Sequence, residues 1–230
     1  MKKNVLITGA SGNLGKATVT KFISEGYNVL ATVSPGKSLG FDVDGDVTIF
    51  EADLTDEKSS DNLVSQIIKE HSTVDVALLL VGGFAAGDLR VTDSKLLKKM
   101  FSLNFDTAYF VARPVFQQML KQANGGRLIF VGARPALKPA QGNGTLAYTL
   151  AKSLLFKLAD ILNAEGSSQN VTASVIVPST IDTEINRKAM PDKDFTTWVK
   201  PEDIAESMAF LCSDKGRPLR ESVLKIYGGA

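Results

Sequence analysis

The sequence has one cysteine and one histidine among 230 residues. Cys212 cannot form an internal disulfide, which is typical of proteins from a reducing compartment. With His71 as the only histidine, we expect neither a metal site nor a serine–histidine triad. These two shortages predict a cytoplasmic protein without a metal centre.

The chain also lacks an excess of charge and a long apolar run. Lys and Arg number 26 and Asp and Glu 25, so we expect no basic face for nucleic acid. No apolar run approaches the roughly 20 residues that span a bilayer. The opening residues Met1–Asn4 precede only a short apolar run, so we expect neither a secretory leader nor a membrane partner.

Apolar runs alternate with helical patterns along the whole chain, without an internal repeat. The apolar fraction of 44% is enough for a large core. Several runs are apolar on consecutive residues, as in strands covered on both faces. The predicted strands are Val5–Thr8, Asn28–Val33, Val47–Phe50, Val74–Val81, Arg127–Gly132, Val171–Pro178 and Val223–Tyr227. The pattern predicts one doubly wound α/β domain over residues 1–230, with a parallel sheet between helices.

A glycine-rich turn, TGASGNLG, occupies residues 8–15 between the first strand and a helical pattern. Glycine tolerates positive φ, lets a ligand approach the backbone and lets the helix pack on the strand. The free N–H groups of the helix would suit a pyrophosphate. The predicted cofactor-binding residues of this turn are Gly9, Ser11, Gly12, Asn13, Leu14 and Gly15, of which the three glycines would seat the pyrophosphate. An ordinary strand-to-helix turn is the alternative.

Two further strand ends carry candidate cofactor contacts. Dinucleotide folds usually place an acid at the end of the second strand, but this strand ends at Val33. Ser34 and Lys37 either face a 2′-phosphate or form a plain surface turn. Asp53, with Leu54 beside it, follows the third strand and either binds an adenine amino group or caps the next helix.

The fourth strand is followed by Gly82 and Gly83, which let backbone approach a flat ligand or simply form a flexible loop. Asn104 stands near the join of two helical stretches, residues 92–101 and 104–122. If this asparagine is buried, it needs hydrogen-bond partners. The alternative is that it only caps or kinks the helix.

Tyr148 and Lys152 lie four residues apart in the helical pattern 147–164 and therefore share a face. An ammonium near a phenol favours the phenolate and should lower the pKa of the tyrosine from about 10. The pair is then a candidate proton donor. An exposed tyrosine–lysine pair is the alternative.

The glycine turn, Asn104 and the Tyr148–Lys152 pair together resemble the short-chain dehydrogenase/reductase family over essentially the whole chain. The resemblance implies a Rossmann fold with a seven-stranded parallel sheet, an NAD(P)(H) cofactor and hydride transfer to or from a small molecule. It implies that Tyr148 transfers the proton and that Lys152 binds the nicotinamide ribose and tunes the pKa of the tyrosine. It also implies that Asn104 helps to hold a water of a proton relay.

The stretch PSTIDT at residues 178–183 is similar to a family segment after the sixth strand. The resemblance assigns Pro178, Thr180 and Thr183 to cofactor binding, with Thr183 on the nicotinamide amide. The following segment, residues 183–198, is a candidate lid whose aromatic residues Phe195 and Trp198 either cover the site or pin the loop to the core.

The sequence departs from the common family pattern in three places. The glycine spacing differs, Gly82-Gly83 replaces the usual residues after the fourth strand, and Ala133 stands where a catalytic serine is usual. The dihydropteridine reductase branch shares these departures, and it is also similar in the segments 81–87, 132–137 and 181–198. This resemblance implies reduction of a quinonoid dihydropterin.

Cofactor preference, substrate and assembly stay open in part. That branch carries an acid at the end of its second strand and prefers NADH, so Val33 here favours NADPH. A carbonyl or quinone reductase with another substrate is one alternative, and a non-catalytic NAD(P) sensor, which should lack Tyr148 and Lys152, is the other. The family pairs subunits through helices matching residues 104–122 and 148–165, so we expect a dimer or tetramer.

Overall fold

A seven-stranded, wholly parallel sheet with the order β3-β2-β1-β4-β5-β6-β7 forms the centre of the computed structural model, which describes residues 2–229. Met1 and Ala230, which the single-domain prediction includes, lie outside the described residues. The strands are β1 Asn4–Thr8, β2 Asn28–Val33, β3 Val47–Glu51, β4 Val76–Leu79, β5 Gly126–Val131, β6 Val171–Pro178 and β7 Val223–Ile226. The doubly wound, seven-stranded prediction is confirmed.

Helices lie between successive strands, as crossovers between parallel strands usually require, except that β2 and β3 are joined by residues 34–46 without a helix. They are α1 Asn13–Ser24, α2 Glu57–His71, α3 Ser94–Phe101, α4 Thr107–Met119, α5 Arg134–Leu137, α6 Leu146–Gly166, α7 Glu184–Ala189 and α8 Pro201–Cys212. A π-helical turn, Ser102–Asp106, joins α3 to α4. Within residues 2–229, no helix combines the length and apolarity that a membrane crossing needs.

Each face of the sheet packs against its own set of helices. On one face, Leu63 of α2, Val111 of α4 and Leu155 of α6 belong to one buried cluster. On the other, Phe22 of α1 and Ile204 of α8 belong to a second cluster. Every residue of β1 is buried, because the strand is covered on both sides. This double coverage explains the consecutive apolar residues of the sequence.

The strand order reverses between β1 and β4, which are hydrogen-bonded neighbours although β2 and β3 lie between them in the chain. The chain leaves β1 toward one side of the sheet and leaves β4 toward the other. A crevice therefore opens at the carboxyl ends of these two strands, where ligands bind in open α/β sheets.

Candidate functional site

The glycine turn after β1 leaves the first turn of α1 open to an anion. Gly9 has φ +66°, and the N–H of Gly12 donates to its carbonyl at 3.0 Å. The cap residue Gly12 offers no side chain, and the first turn of α1 carries no acid. A Cβ on Gly15 would lie 2.3 Å from the Gly9 oxygen, so only glycine lets the helix approach this closely. The cradle fits a pyrophosphate.

An acid stands beside the end of β2 although β2 itself supplies none. Glu51 pairs in register with Val33, and its carboxylate accepts the Gly36 N–H at 2.7 Å. The turn it holds is closed by the Lys37 N–H donating to the Ser34 carbonyl at 3.0 Å. Sequence reasoning missed Glu51, although aligning β2 with β3 would have placed it next to Val33.

Asp53 forms a local turn instead of capping α2. Its carboxylate accepts from Thr55 Oγ1 at 2.6 Å and from the Thr55 N–H at 3.0 Å. These bonds, the hydroxyl first, hold the pKa of Asp53 below its ordinary value. Asp56 caps α2. The helix-cap alternative for Asp53 is therefore wrong, and its exposed carboxylate lies at the cofactor edge beside the buried Leu54.

Lys152 and Asn104 meet at the glycines after β4. The Lys152 ammonium is buried and donates to the Val131 carbonyl at 2.8 Å. A Cβ on Gly82 would lie 2.9 Å from Asn104 Oδ1 and 3.2 Å from Lys152 Nζ. Glycine at this position therefore leaves room for both polar groups at the mouth of the crevice.

Asn104 is fully buried, within the π-helical turn. Its Oδ1 accepts the Gly83 N–H at 3.1 Å, and its Nδ2 donates to the Gly83 carbonyl at 2.9 Å and to the Met100 carbonyl at 3.0 Å. The asparagine thus fixes the backbone after β4 from both sides. Asn104 is therefore a buried amide with hydrogen-bond partners, and it also lies in an irregular turn of the helix.

Tyr148 lies one helical turn before Lys152 and is half-buried. The ring of Phe84, which is 67% exposed, stands edge-on to it at 5.2 Å between centroids. Burial raises the pKa of Tyr148 to about 12 and lowers that of Lys152 to about 8. The expected lowering of the tyrosine pKa is wrong for this structure, because desolvation dominates and the ammonium is engaged by Val131.

The ends of β5 and β6 complete the site. Ala133, two residues after the end of β5, is 4% exposed and offers no hydroxyl. After β6, Thr183 caps α7 by accepting the Asn186 N–H at 3.2 Å, and the Thr180 carbonyl accepts from the Val199 N–H at 3.0 Å. In the adjoining candidate lid, residues 183–198, Trp198 is buried. Its ring therefore fits the alternative in which it pins the loop to the core.

The predicted residues lie in separate places along the carboxyl edge of the sheet. The glycine turn and the β2–β3 edge form one part, the cluster of Asn104, Lys152 and Tyr148 a second, and the segment after β6 a third. Besides Glu51, sequence reasoning missed the Val131 carbonyl and the contact of Phe84 with Tyr148. The contact of Phe84 with Tyr148 joins residues 64 positions apart, so no local sequence pattern predicts it.

Comparison with known proteins adds a family match. The family model described as short chain dehydrogenase matches residues 3–194. The chain is 29% identical over 229 residues to a dihydropteridine reductase of Dictyostelium discoideum, covering 98% of this chain and 94% of that one. It is 25% identical to an acetoacetyl-CoA reductase of Acinetobacter sp. strain RA3849, covering 99% and 97%. The solved structure of ElxO with NADP bound superposes with a TM-score of 0.90 at 22% identity, covering 100% and 98%.

Proposed function

The chain belongs to the short-chain dehydrogenase family, and we propose that it reduces a quinonoid dihydropterin, or a similar conjugated small molecule, with NAD(P)H. The observation that carries this proposal is the meeting of Lys152, Asn104 and the Gly82 backbone beside Tyr148, at a site with no hydroxyl on Ala133. The dihydropteridine reductase of Dictyostelium, a relative along almost the whole chain, supports the substrate class.

Tyr148 acts as the proton donor in this proposal. Burial holds its pKa at about 12, so the phenol carries its proton at neutral pH and can give it to the substrate as hydride arrives. Lys152, with a pKa of about 8, is still mostly an ammonium at pH 7. It binds the nicotinamide ribose while the Val131 carbonyl orients it, and Asn104 holds a water for reprotonating the tyrosine.

The cofactor-binding residues fit a nicotinamide dinucleotide. The side-chain-free cradle of Gly9, Gly12 and Gly15 would hold the pyrophosphate. Asp53 and Leu54 would border the adenine, and Gly82 and Gly83 the flat part of the nucleotide. Pro178 at the end of β6, with Thr180 and Thr183 beyond it, would hold the nicotinamide end of the cofactor. When bound, the reduced nicotinamide supplies the hydride.

A conjugated substrate suits the polar and aromatic groups better than a simple ketone. A ketone oxygen would need a second donor, which a serine at position 133 would provide and Ala133 does not. A conjugated ring spreads the developing charge, so one proton donor is sufficient. Phe84, exposed and edge-on to Tyr148, offers an aromatic surface against which a flat ring can pack.

The test is an assay of NADPH and NADH oxidation with quinonoid dihydropterin, with simple quinones and with acetoacetyl-CoA. The proposal expects the highest kcat/KM with the dihydropterin. Turnover of quinones without turnover of pterin would favour the carbonyl or quinone reductase alternative. A chain that binds nucleotide but turns over none of the three would favour the sensor alternative, which the presence of Tyr148 and Lys152 opposes.

For the nucleotide we propose a preference for NADPH, set by Ser34 and Lys37 and limited by Glu51. The Lys37 ammonium would attract a 2′-phosphate, whereas the Glu51 carboxylate, 2.7 Å from the Gly36 N–H, would repel it. Equilibrium titration should show weaker NADPH binding by Lys37→Gln and tighter NADPH binding by Glu51→Gln. Tighter binding of NADH than of NADPH by the unaltered protein would contradict the preference.

We also propose self-association through α4 and α6, in the cytoplasm. Leu150, Leu154 and Ile161 form an exposed apolar row on α6, at spacings that keep them on one side of the helix. A second copy of the chain covering this row would remove it from water.

A further inference from the structure

Two cations share one aromatic ring beside the candidate site. The Arg134 guanidinium carbon lies 4.6 Å from the centre of the Tyr227 ring, and the Lys138 ammonium lies 5.5 Å from it. The Lys138 N–H donates to the Arg134 carbonyl at 3.0 Å. This single helical turn places both side chains on the same side.

The two cations have no acidic partner within residues 2–229. The ion pairs of the described chain do not include Arg134 or Lys138. Like charges one helical turn apart repel each other, and the Tyr227 ring offsets only part of that repulsion. An anion between the two side chains would neutralise the pair.

The Arg134 side chain contacts the Tyr227 ring and is partly exposed. Its Nε is buried without a hydrogen-bond partner, as is the Tyr227 hydroxyl. The guanidinium carbon lies over the Tyr227 ring, and the outer edge of this partly exposed side chain, Nη1 and Nη2, is neither fully buried nor hydrogen-bonded to another described residue. That edge is the part of an arginine that binds a carboxylate or phosphate with two hydrogen bonds.

The pair lies at the substrate end of the crevice. Arg134 directly follows Ala133 at the end of β5, three residues after the carbonyl that binds Lys152. The Tyr227 carbonyl accepts from the Ser179 hydroxyl at 2.8 Å, which places Tyr227 at the end of β6. The pyrophosphate cradle lies after β1, on the other side of β4 and β5. An anion at Arg134 is therefore separate from the phosphates of the nucleotide.

We propose that Arg134 and Lys138 bind an anionic substituent of the substrate, a carboxylate, sulfonate or phosphate carried by the conjugated ring. This inference rests on the proposed function, because it names a property of the molecule that the same site reduces. It predicts that acidic substrates are preferred over neutral substrates with the same ring.

The test is calorimetric titration of the full chain, saturated with oxidised nucleotide, with naphthoquinone sulfonate and with naphthoquinone. Oxidised nucleotide prevents turnover, so binding is measured whether or not the protein is a reductase. We expect the sulfonate to bind about tenfold more tightly than the neutral quinone, as loss or gain of charge-assisted hydrogen bonds commonly gives. Arg134→Gln and Lys138→Gln should each remove most of this preference, and Arg134→Lys should restore part of it.

Lys121→Gln is the matched control, since it removes one exposed cation from the turn after α4 and should leave the preference unchanged. Lys138 is exposed, so its variant remains informative if Arg134→Gln does not fold. Equal binding of both quinones, or a preference unaffected by both substitutions, would overturn the inference. Equally tight binding of inorganic sulfate would also overturn it, because the site would then hold a free anion and not a substrate group. Failure of the reductase assay with the binding preference intact would refute only the catalytic proposal.

Discussion

The protonation of two residues determines what the site can do. Burial moves the pKa of Tyr148 up to about 12 and the pKa of Lys152 down to about 8. The tyrosine is thus kept as an acid, which suits reduction. The lysine is brought close to the pH at which it loses its charge, so its part in binding becomes sensitive to pH.

The affinity for NAD(P)H should fall as pH rises through about 8. The folded-state pKa of Lys152 lies below its ordinary value of 10.5, so its ammonium, which we propose as the donor to the ribose, is lost in this range. Fluorescence titration of the nucleotide between about pH 6 and pH 10, a range centred on the shifted pKa of Lys152, measures the effect. Lys152→Met should bind weakly at every pH. A pH-independent affinity in the unaltered protein would show that Lys152 does not titrate there.

The same shift has the opposite sign for stability. Between about pH 8 and pH 10.5 the unfolded chain binds a proton at Lys152 that the folded chain does not. This group therefore makes the free energy of unfolding rise with pH in that window.

Replacing Ala133 by serine should widen the substrate range. A hydroxyl at this buried position, two residues after the end of β5, would supply the missing donor to a ketone oxygen. We expect Ala133→Ser to raise kcat/KM for a simple ketone about tenfold, the order of one added hydrogen bond in the transition state. Ala136→Ser, within the one-turn helix α5, is the control. No gain for Ala133→Ser would show that the absence of this donor is not what limits ketone reduction.

At the scale of elements, the site is made by strand ends that parallel topology brings to one edge. The loop after β4, the π-helical turn and α6 meet where Gly82 faces Asn104 and Lys152. Each element supplies one group, and none of them forms the site alone. Small changes in how these elements approach should therefore affect activity more than folding.

Gly82→Ala should lower kcat/KM about tenfold or more, because misplaced catalytic groups commonly cost this much. Its Cβ would meet Asn104 Oδ1 at 2.9 Å and Lys152 Nζ at 3.2 Å, and one of these must move. Gly144→Ala, whose Cβ would meet nothing within 4 Å, is the control. Steady-state kinetics with a thermal melt separates the two effects. Unchanged kinetics for Gly82→Ala would contradict the tight packing at this junction.

The elements were largely predictable from sequence, whereas their contacts were not. Consecutive apolar residues in β1 and β6 predict strands covered on both faces, and the glycine turn predicts the start of α1. The contact of Phe84 with Tyr148 and the position of Glu51 beside Val33 depend on packing between distant segments. The pKa of Tyr148 was predicted with the wrong sign, because spacing shows a neighbouring charge and not the burial that outweighs it.

At the scale of the whole molecule, association and activity are expected to be linked through α6, which carries both Tyr148 and the exposed row of apolar residues. Two sides of one helix would then serve two purposes. One side would hold the reacting groups against the crevice, and the other would contact a second subunit.

Ile161→Glu should dissociate the assembly or raise its dissociation constant at least about tenfold, because it would bury a charge in an apolar interface. Ile161 is 48% exposed in the single chain. Ile49→Glu, at the same 48% exposure on the edge strand β3, is the matched control. Sedimentation velocity measures both. A monomeric unaltered protein would refute the association, and equal effects of the two variants would refute its location.

The most direct test of the account is a single-turnover measurement on Tyr148→Phe with Tyr109→Phe as control. Removal of the phenol hydroxyl should slow oxidation of bound NAD(P)H by quinonoid dihydropterin about a hundredfold or more, the usual contribution of a positioned general acid. The affinity for the nucleotide should stay within about threefold, since the ring and Lys152 remain. A Tyr148→Phe variant that reduces the dihydropterin as fast as the unaltered protein would contradict the assignment of Tyr148 as proton donor.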